Sequence, residues 1–134
     1  MTSPVPAVEL QALPGDYVIA KLSPSSPLPA DVLSSVTLNG FVSVTRTPQE
    51  LSLLCPAALA PDGAETDGPW AALYASGPTP FGLTGVVASL VAPLSSAGCP
   101  VFVTSTFDGD VLMVPAAKYD QARELLTAAG HTLR

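Results

Sequence analysis

The sequence predicts an α+β fold, and three observations in its second half predict it. Leu83, Val86, Val87, Leu90, Val91 and Leu94 recur at the spacing of one helix face. Short alternating, β-branched runs flank that helix. Two of them are separated by an Asp-Gly pair at 108–109, a signal for a tight hairpin.

Taken in order, Trp70 to Ser76 reads as a strand ended by Gly77-Pro78. The helix runs from about Gly82 to Ala97 and is stopped by Gly98. Pro93 lies inside it and removes the backbone bond to Ser89, which predicts a kink or a tightened last turn. Val101–Thr106 and Val111–Pro115 read as paired strands. Ala117–Ala129 reads as a second helix, with Tyr119, Ala122, Leu125, Leu126 and Ala129 as its buried stripe and Gly130 as its cap. His131–Leu133 supplies a short last strand. The order is β-α-β-β-α-β, the split ferredoxin-like plan, with an antiparallel sheet and both helices on one face.

The first half repeats part of that plan. Val8–Leu13 and Asp16–Leu22 read as strands around Pro14-Gly15, and Ala30–Ser35 as a short helical turn. Phe41–Arg46 and Glu50–Cys55 form a hairpin across Thr47-Pro48-Gln49, and Pro56–Leu59 is at most one further turn. The expected organisation is a lead-in at 1–7, a shortened unit at 8–60, a linker at 61–68 and a second unit at 69–134. The first unit has too little core to stand alone. The linker, PDGAETDG, is polar. Its Asp62, Glu65 and Asp67 do not have the spacing of a calcium loop, so it reads as solvated.

Composition narrows the function. The 134 residues carry 5 Lys and Arg against 11 Asp and Glu, a net charge of −6, and the five cations are scattered. That pattern argues against nucleic acid and anionic membrane as partners. Mean hydropathy is +0.43, yet the longest apolar run, Gly85–Leu94, is far short of the ~20 residues a membrane helix needs. The N-terminal sequence lacks the pattern of a secretory leader. Cys55 and Cys99 have no metal or redox spacing and read as buried thiols, in keeping with a cytoplasmic location. No metal or cofactor is expected. His131 is the one histidine and reads as a surface or strand-end residue, with no nucleophile beside it. The protein is therefore read as a non-enzyme.

Two segments remain with chemical potential. Gly77–Gly85, GPTPFGLTG, leads directly into a helix, whose first N–H groups and positive dipole end suit a carboxylate. Ser105–Asp110, STFDGD, offers two carboxylates and two hydroxyls. It reads as a plain hairpin turn, a weak Mg²⁺ pair, or a site for an ammonium or guanidinium group. An acid-binding helix end together with a cation-binding aspartate specifies a zwitterion, as in an amino acid.

The run from Gly77 to Pro115 resembles the ACT-domain proteins of the CASTOR-like group. Phe81, Leu83, Thr84, Gly85, Pro93, Leu94, Ala97, Gly98, Ser105, Thr106 and Asp110 match the pattern. In the first half Arg46, Thr47, Glu50, Leu51 and Ser52 look like the group's N-terminal segment. Phe107 stands where Tyr is commoner, and Gly109 where Thr is. The resemblance implies two tandem ACT-like units, allosteric regulation by a bound amino acid, and homodimerisation. It implies a ligand held by Phe81, Gly82, Leu83, Thr84 and Gly85 on one side and by Ser105, Thr106, Phe107, Asp108 and Asp110 on the other. A structural or protein-interaction module with a vestigial pocket is the alternative reading. A metal-dependent enzyme using Asp108 and Asp110 is a distant third.

Overall fold

The computed structural model describes residues 7–34, 40–75 and 84–134. The chain forms two units. One comprises the N-terminal stretch through Leu13 together with Ala71–Arg134, and the other is Pro14–Trp70.

In the Pro14–Trp70 unit, β2 (Tyr17–Leu22) pairs antiparallel with β4 (Leu51–Pro56), and β4 with β3 (Ser43–Arg46). On its other side β2 pairs with the first half of β5 (Glu65–Ala75), with a register shift between Tyr17 and Ile19. Gly68 lies at that shift. A Cβ there would come within 2.9 Å of the Tyr17 carbonyl oxygen, so only glycine lets the two backbones approach this closely. The alternation of β4 buries Leu51, Leu53 and Cys55 completely. Tyr17 is buried as well. Its ring stacks on Phe41 at 5.1 Å, and its hydroxyl accepts the Phe41 N–H at 3.2 Å. The short helix α1 (Ala30–Ser34) and a 3₁₀ turn at Ala57–Leu59 complete the unit.

The other unit holds α2 (Val86–Ser96), β6 (Phe102–Ser105), β7 (Asp110–Pro115), α3 (Tyr119–Ala128) and β8 (Thr132–Leu133). Its sheet order is β6-β7-β5-β1-β8, where β1 is Glu9–Ala12. Alternation turns Leu73 and Ala75 of β5, and Leu112 and Val114 of β7, toward Leu90 and Leu94 of α2 and Ala122 and Leu126 of α3. Together with Leu10 and Cys99 they form one core on one face of the sheet. Burying each of its leucine and valine side chains stabilises by roughly 1.5–3 kcal/mol. Gly98, at φ 75°, closes α2 as its sequence position predicts, and the Cys99 N–H returns to the Leu94 carbonyl.

The structure corrects several expectations. The last strand does not complete an all-antiparallel β-α-β-β-α-β sheet by pairing with the strand that precedes α2. β1, read as part of the first half, lies between them and pairs antiparallel with β5 and parallel with β8, so the sheet is mixed. The expected linker ends at Ala64, because Glu65–Gly68 already belong to β5. Its side chains are exposed, which is why they read as solvated loop. Ala129 is exposed rather than buried, since the helix ends one residue earlier, and Val87 is 42% exposed on the solvent side of α2. The start of the predicted helix, Gly82 and Leu83, lies outside the described residues, as does Phe81.

Candidate functional site

The β6–β7 hairpin turns through Phe107 and Asp108, one residue earlier than Asp-Gly at 108–109 suggests. Thr106 closes it three times over. Its N–H donates to the Gly109 carbonyl at 2.7 Å, its hydroxyl donates to the same oxygen at 3.0 Å, and that hydroxyl accepts the Gly109 N–H at 3.2 Å. Gly109 is needed for proximity, not for turning: a Cβ there would lie 2.5 Å from the Ala75 carbonyl oxygen and 3.1 Å from the Tyr74 hydroxyl. The hairpin tip is thus pressed against the end of β5.

Ser105 and Asp110 are cross-strand partners in this hairpin, and the Ser105 hydroxyl donates to Asp110 Oδ1 at 2.6 Å. Asp110 is only 7% exposed. Among the described residues it has no ion-pair partner. Period-two alternation sets it on the face of Leu112 and Val114, the face that α2 covers.

The topology brings the start of α2 to the same end of the sheet. A short connection links the last turn of α2 to the start of β6, and β6 then runs to the hairpin. An 11-residue helix spans about 16 Å, so α2 begins at the end of the sheet where β6 stops. Gly85, at φ 84°, is its N-cap, and no side chain caps it. Among the described residues no side chain accepts from its first-turn N–H groups, Val86 to Ala88, an arrangement that suits an anion. Thr84 and Gly85 are exposed there.

Of the residues singled out from sequence, Ser105 and Asp110 face each other across the hairpin, and Thr84 and Gly85 stand at the start of α2. Thr106 acts on the hairpin backbone. Phe107 is 79% exposed at the tip, and Asp108 is exposed beside it. Tyr74, which packs on Gly109, escaped the sequence reading, because only the fold brings β5 against the hairpin. Among the described residues no group of three or more His, Cys, Asp or Glu side chains could hold a metal ion. Both cysteines are free and buried.

His131 is the main surprise. It is 3% exposed, not a surface residue. The Val8 N–H donates to its Nδ1 at 3.1 Å, and its Nε2 lies 2.8 Å from the Ser89 carbonyl oxygen. An oxygen can only accept, so the ring carries its hydrogen on Nε2. Ser89 is the residue whose carbonyl loses its helical donor to Pro93. The sequence showed the missing bond; the fold supplies its replacement from 42 residues away.

These elements define a small α+β protein, and comparison with known proteins gives its class. Residues 65–128 match the ACT domain, and a second model, described as an N-terminal domain, matches residues 15–62. The protein Atu0741 of Agrobacterium tumefaciens is 42% identical, with 96% of this chain and 93% of that one covered and a TM-score of 0.85. This chain belongs to the same family as that protein and carries an ACT domain. A Vibrio cholerae protein of unknown function, VC0802, described as a possible transport protein, is 22% identical over 92% of this chain and 90% of its own, with a TM-score of 0.72. The regulatory subunit of aspartate kinase from Thermus thermophilus shares the fold at 14% identity. There 87% of this chain and 93% of that one are covered, with a TM-score of 0.58. A search of curated proteins finds no match. No helix among the described residues is long and apolar enough to cross a membrane.

Proposed function

We propose that this chain is a non-catalytic regulatory protein of the CASTOR-like ACT type that binds an amino acid between the start of α2 and the β6–β7 hairpin. One observation carries the reading: Asp110, a carboxylate more than nine-tenths buried, with a hydroxyl on one oxygen and no cation from the described residues. A buried carboxylate without a counter-charge is costly, and a ligand ammonium group would offset that cost. The uncapped first turn of α2 would take the ligand carboxylate, with Thr84 and Gly85 at its rim. Solved relatives of the same fold include regulatory subunits, which supports regulation over chemistry.

On this reading the Pro14–Trp70 unit is a second, shortened ACT-like unit. The protein works as a homodimer in the cytoplasm. The outer edge of β6, which among the described residues pairs with β7 alone, offers one surface for a second copy.

The test is thermal denaturation of the full chain with each of the twenty amino acids at millimolar concentration. A ligand at a hundredfold excess over its Kd stabilises by about 2.7 kcal/mol, a shift of several degrees. Asp110→Asn keeps the shape, removes the charge and should abolish the shift while the unliganded protein stays folded. If no amino acid raises the melting temperature, the binding claim fails and the interaction-module reading takes its place. An unchanged response in Asp110→Asn would move the ligand elsewhere.

A further inference from the structure

We propose that His131 is a proton-operated catch that fastens the start of β1 to the middle of α2. The inference is independent of any ligand at the hairpin. The ring sits between two backbone groups that need it in one state only. Nδ1 must be a bare acceptor for the Val8 N–H at 3.1 Å, and Nε2 must carry a hydrogen for the Ser89 carbonyl oxygen at 2.8 Å. The neutral ring with its hydrogen on Nε2 meets both demands. Among the described residues, the Ser89 carbonyl has no helical donor and the Val8 N–H has no strand acceptor in place of the ring. Pro93 cannot donate to Ser89, and the Val8 N–H precedes the first residue of β1. The Val8 carbonyl is engaged separately, by the Thr132 N–H at 3.1 Å.

Uptake of one proton puts a hydrogen on Nδ1. That hydrogen then faces the Val8 N–H, donor against donor, and the bond between them is lost. The bond to Ser89 persists, since Nε2 still donates. The ring also becomes a cation in the core, with little among the described residues to balance it. α2 has no titratable side chain at all. β8 has none either. On β1 the only charged side chain is Glu9, and it pairs with Arg134 at the surface. The charged side chains of α3, Asp120, Arg123 and Glu124, are exposed, and Tyr119 is covered by the Arg123 guanidinium at 5.9 Å. The other buried polar side chains among the described residues are Ser89 and Asp110, and Asp110 is already bonded to Ser105. Protonation therefore releases the Val8 end of β1 from α2 and loosens the seat of that helix. Acidification acts on β1 first, because its bond is the one that needs the bare nitrogen.

His131 is the one histidine of the chain, so its signals in a nitrogen NMR spectrum need no assignment. The experiment follows the ring nitrogens and the exchange protection of the Val8 amide, corrected for intrinsic exchange, across pH 5 to 8 on the full chain. The expected result is a neutral ring with hydrogen on Nε2 and a Val8 protection that falls roughly tenfold as the ring is protonated, about one hydrogen bond. His131→Gln should make Val8 protection independent of pH over the same range. If that variant does not fold, the wild-type spectra decide alone. A hydrogen on Nδ1 in the neutral ring, Val8 protection that stays level through the ring's titration, or a ring that takes no proton before the whole protein unfolds would each overturn the proposal.

Discussion

Asp110 and Gly109 are neighbours with opposite requirements. Asp110 accepts from the Ser105 hydroxyl and, among the described residues, has no ion-pair partner, while Gly109 is fixed by what surrounds its α-carbon. A methyl group at 109 would meet the Ala75 backbone oxygen at 2.5 Å, and backbone cannot swing aside as a side chain can. Gly109→Ala should therefore destabilise by about 1–3 kcal/mol, measured by urea denaturation, and should weaken any ligand response by shifting Asp110. A variant as stable as the parent would mean that the hairpin is not pressed against β5. The aspartate was legible in the sequence because a carboxylate next to a turn with two hydroxyls has few structural reasons to be there. Its partner was less so, since register alone decides that Ser105, not Thr106, faces it. The tightness at Gly109 was not legible, because glycine after aspartate already has a sufficient explanation as a turn residue. His131 misled for a related reason: a polar residue near a chain end reads as exposed, and only the fold reveals the carbonyl that needs it.

Among the elements, α2 shows how a local defect is repaired from afar. Proline in a helix interior ordinarily costs ~3 kcal/mol, part of it for the carbonyl left without a donor. Here that carbonyl accepts from His131. Pro93→Ala restores the amide, yet most of what it would recover is already present. The expected gain is below about 1 kcal/mol in urea unfolding, and a gain near the full proline cost would show that the histidine bond contributes nothing. The helix itself was readable from its 3.6-residue period, and its end from Gly98. β1 was readable only as a strand. Four residues of alternating burial establish an extended segment, but nothing in ELQA specifies a parallel partner at the far end of the chain. Its insertion between β5 and β8 follows from edges left open by the second half, a property of the assembled sheet. The false linker has a similar cause, for the exposed first part of β5 has no period-two burial to mark it.

For the molecule as a whole, alkaline pH gives a test of stability that does not depend on any ligand at the hairpin. The Pro14–Trp70 unit buries two acids on neighbouring strands, Tyr17 on β2 and Cys55 on β4, one register step apart. Burial pushes the Tyr17 phenol above its ordinary 10.0. The Phe41 N–H on its oxygen works against this, and the nearby Cys55 adds to it. Burial likewise pushes the Cys55 thiol above its ordinary 9.0. In both cases the folded chain holds its proton more tightly than the unfolded chain does. Between the ordinary value and the raised one, the unfolded state has fewer protons bound, so stability falls as pH rises. The contribution is intact below about pH 8 and is lost progressively above it, first through Cys55 and then through Tyr17. Urea midpoints measured from pH 7 to 11 should decline over that range. Cys55→Ala should delay the onset of the decline, and Tyr17→Phe should flatten its upper part, although each variant starts from a lower stability at neutral pH. A midpoint that holds level to pH 11 in the parent, or a decline that both variants reproduce unchanged, would place the alkaline weakness outside this unit and contradict the burial of the two groups.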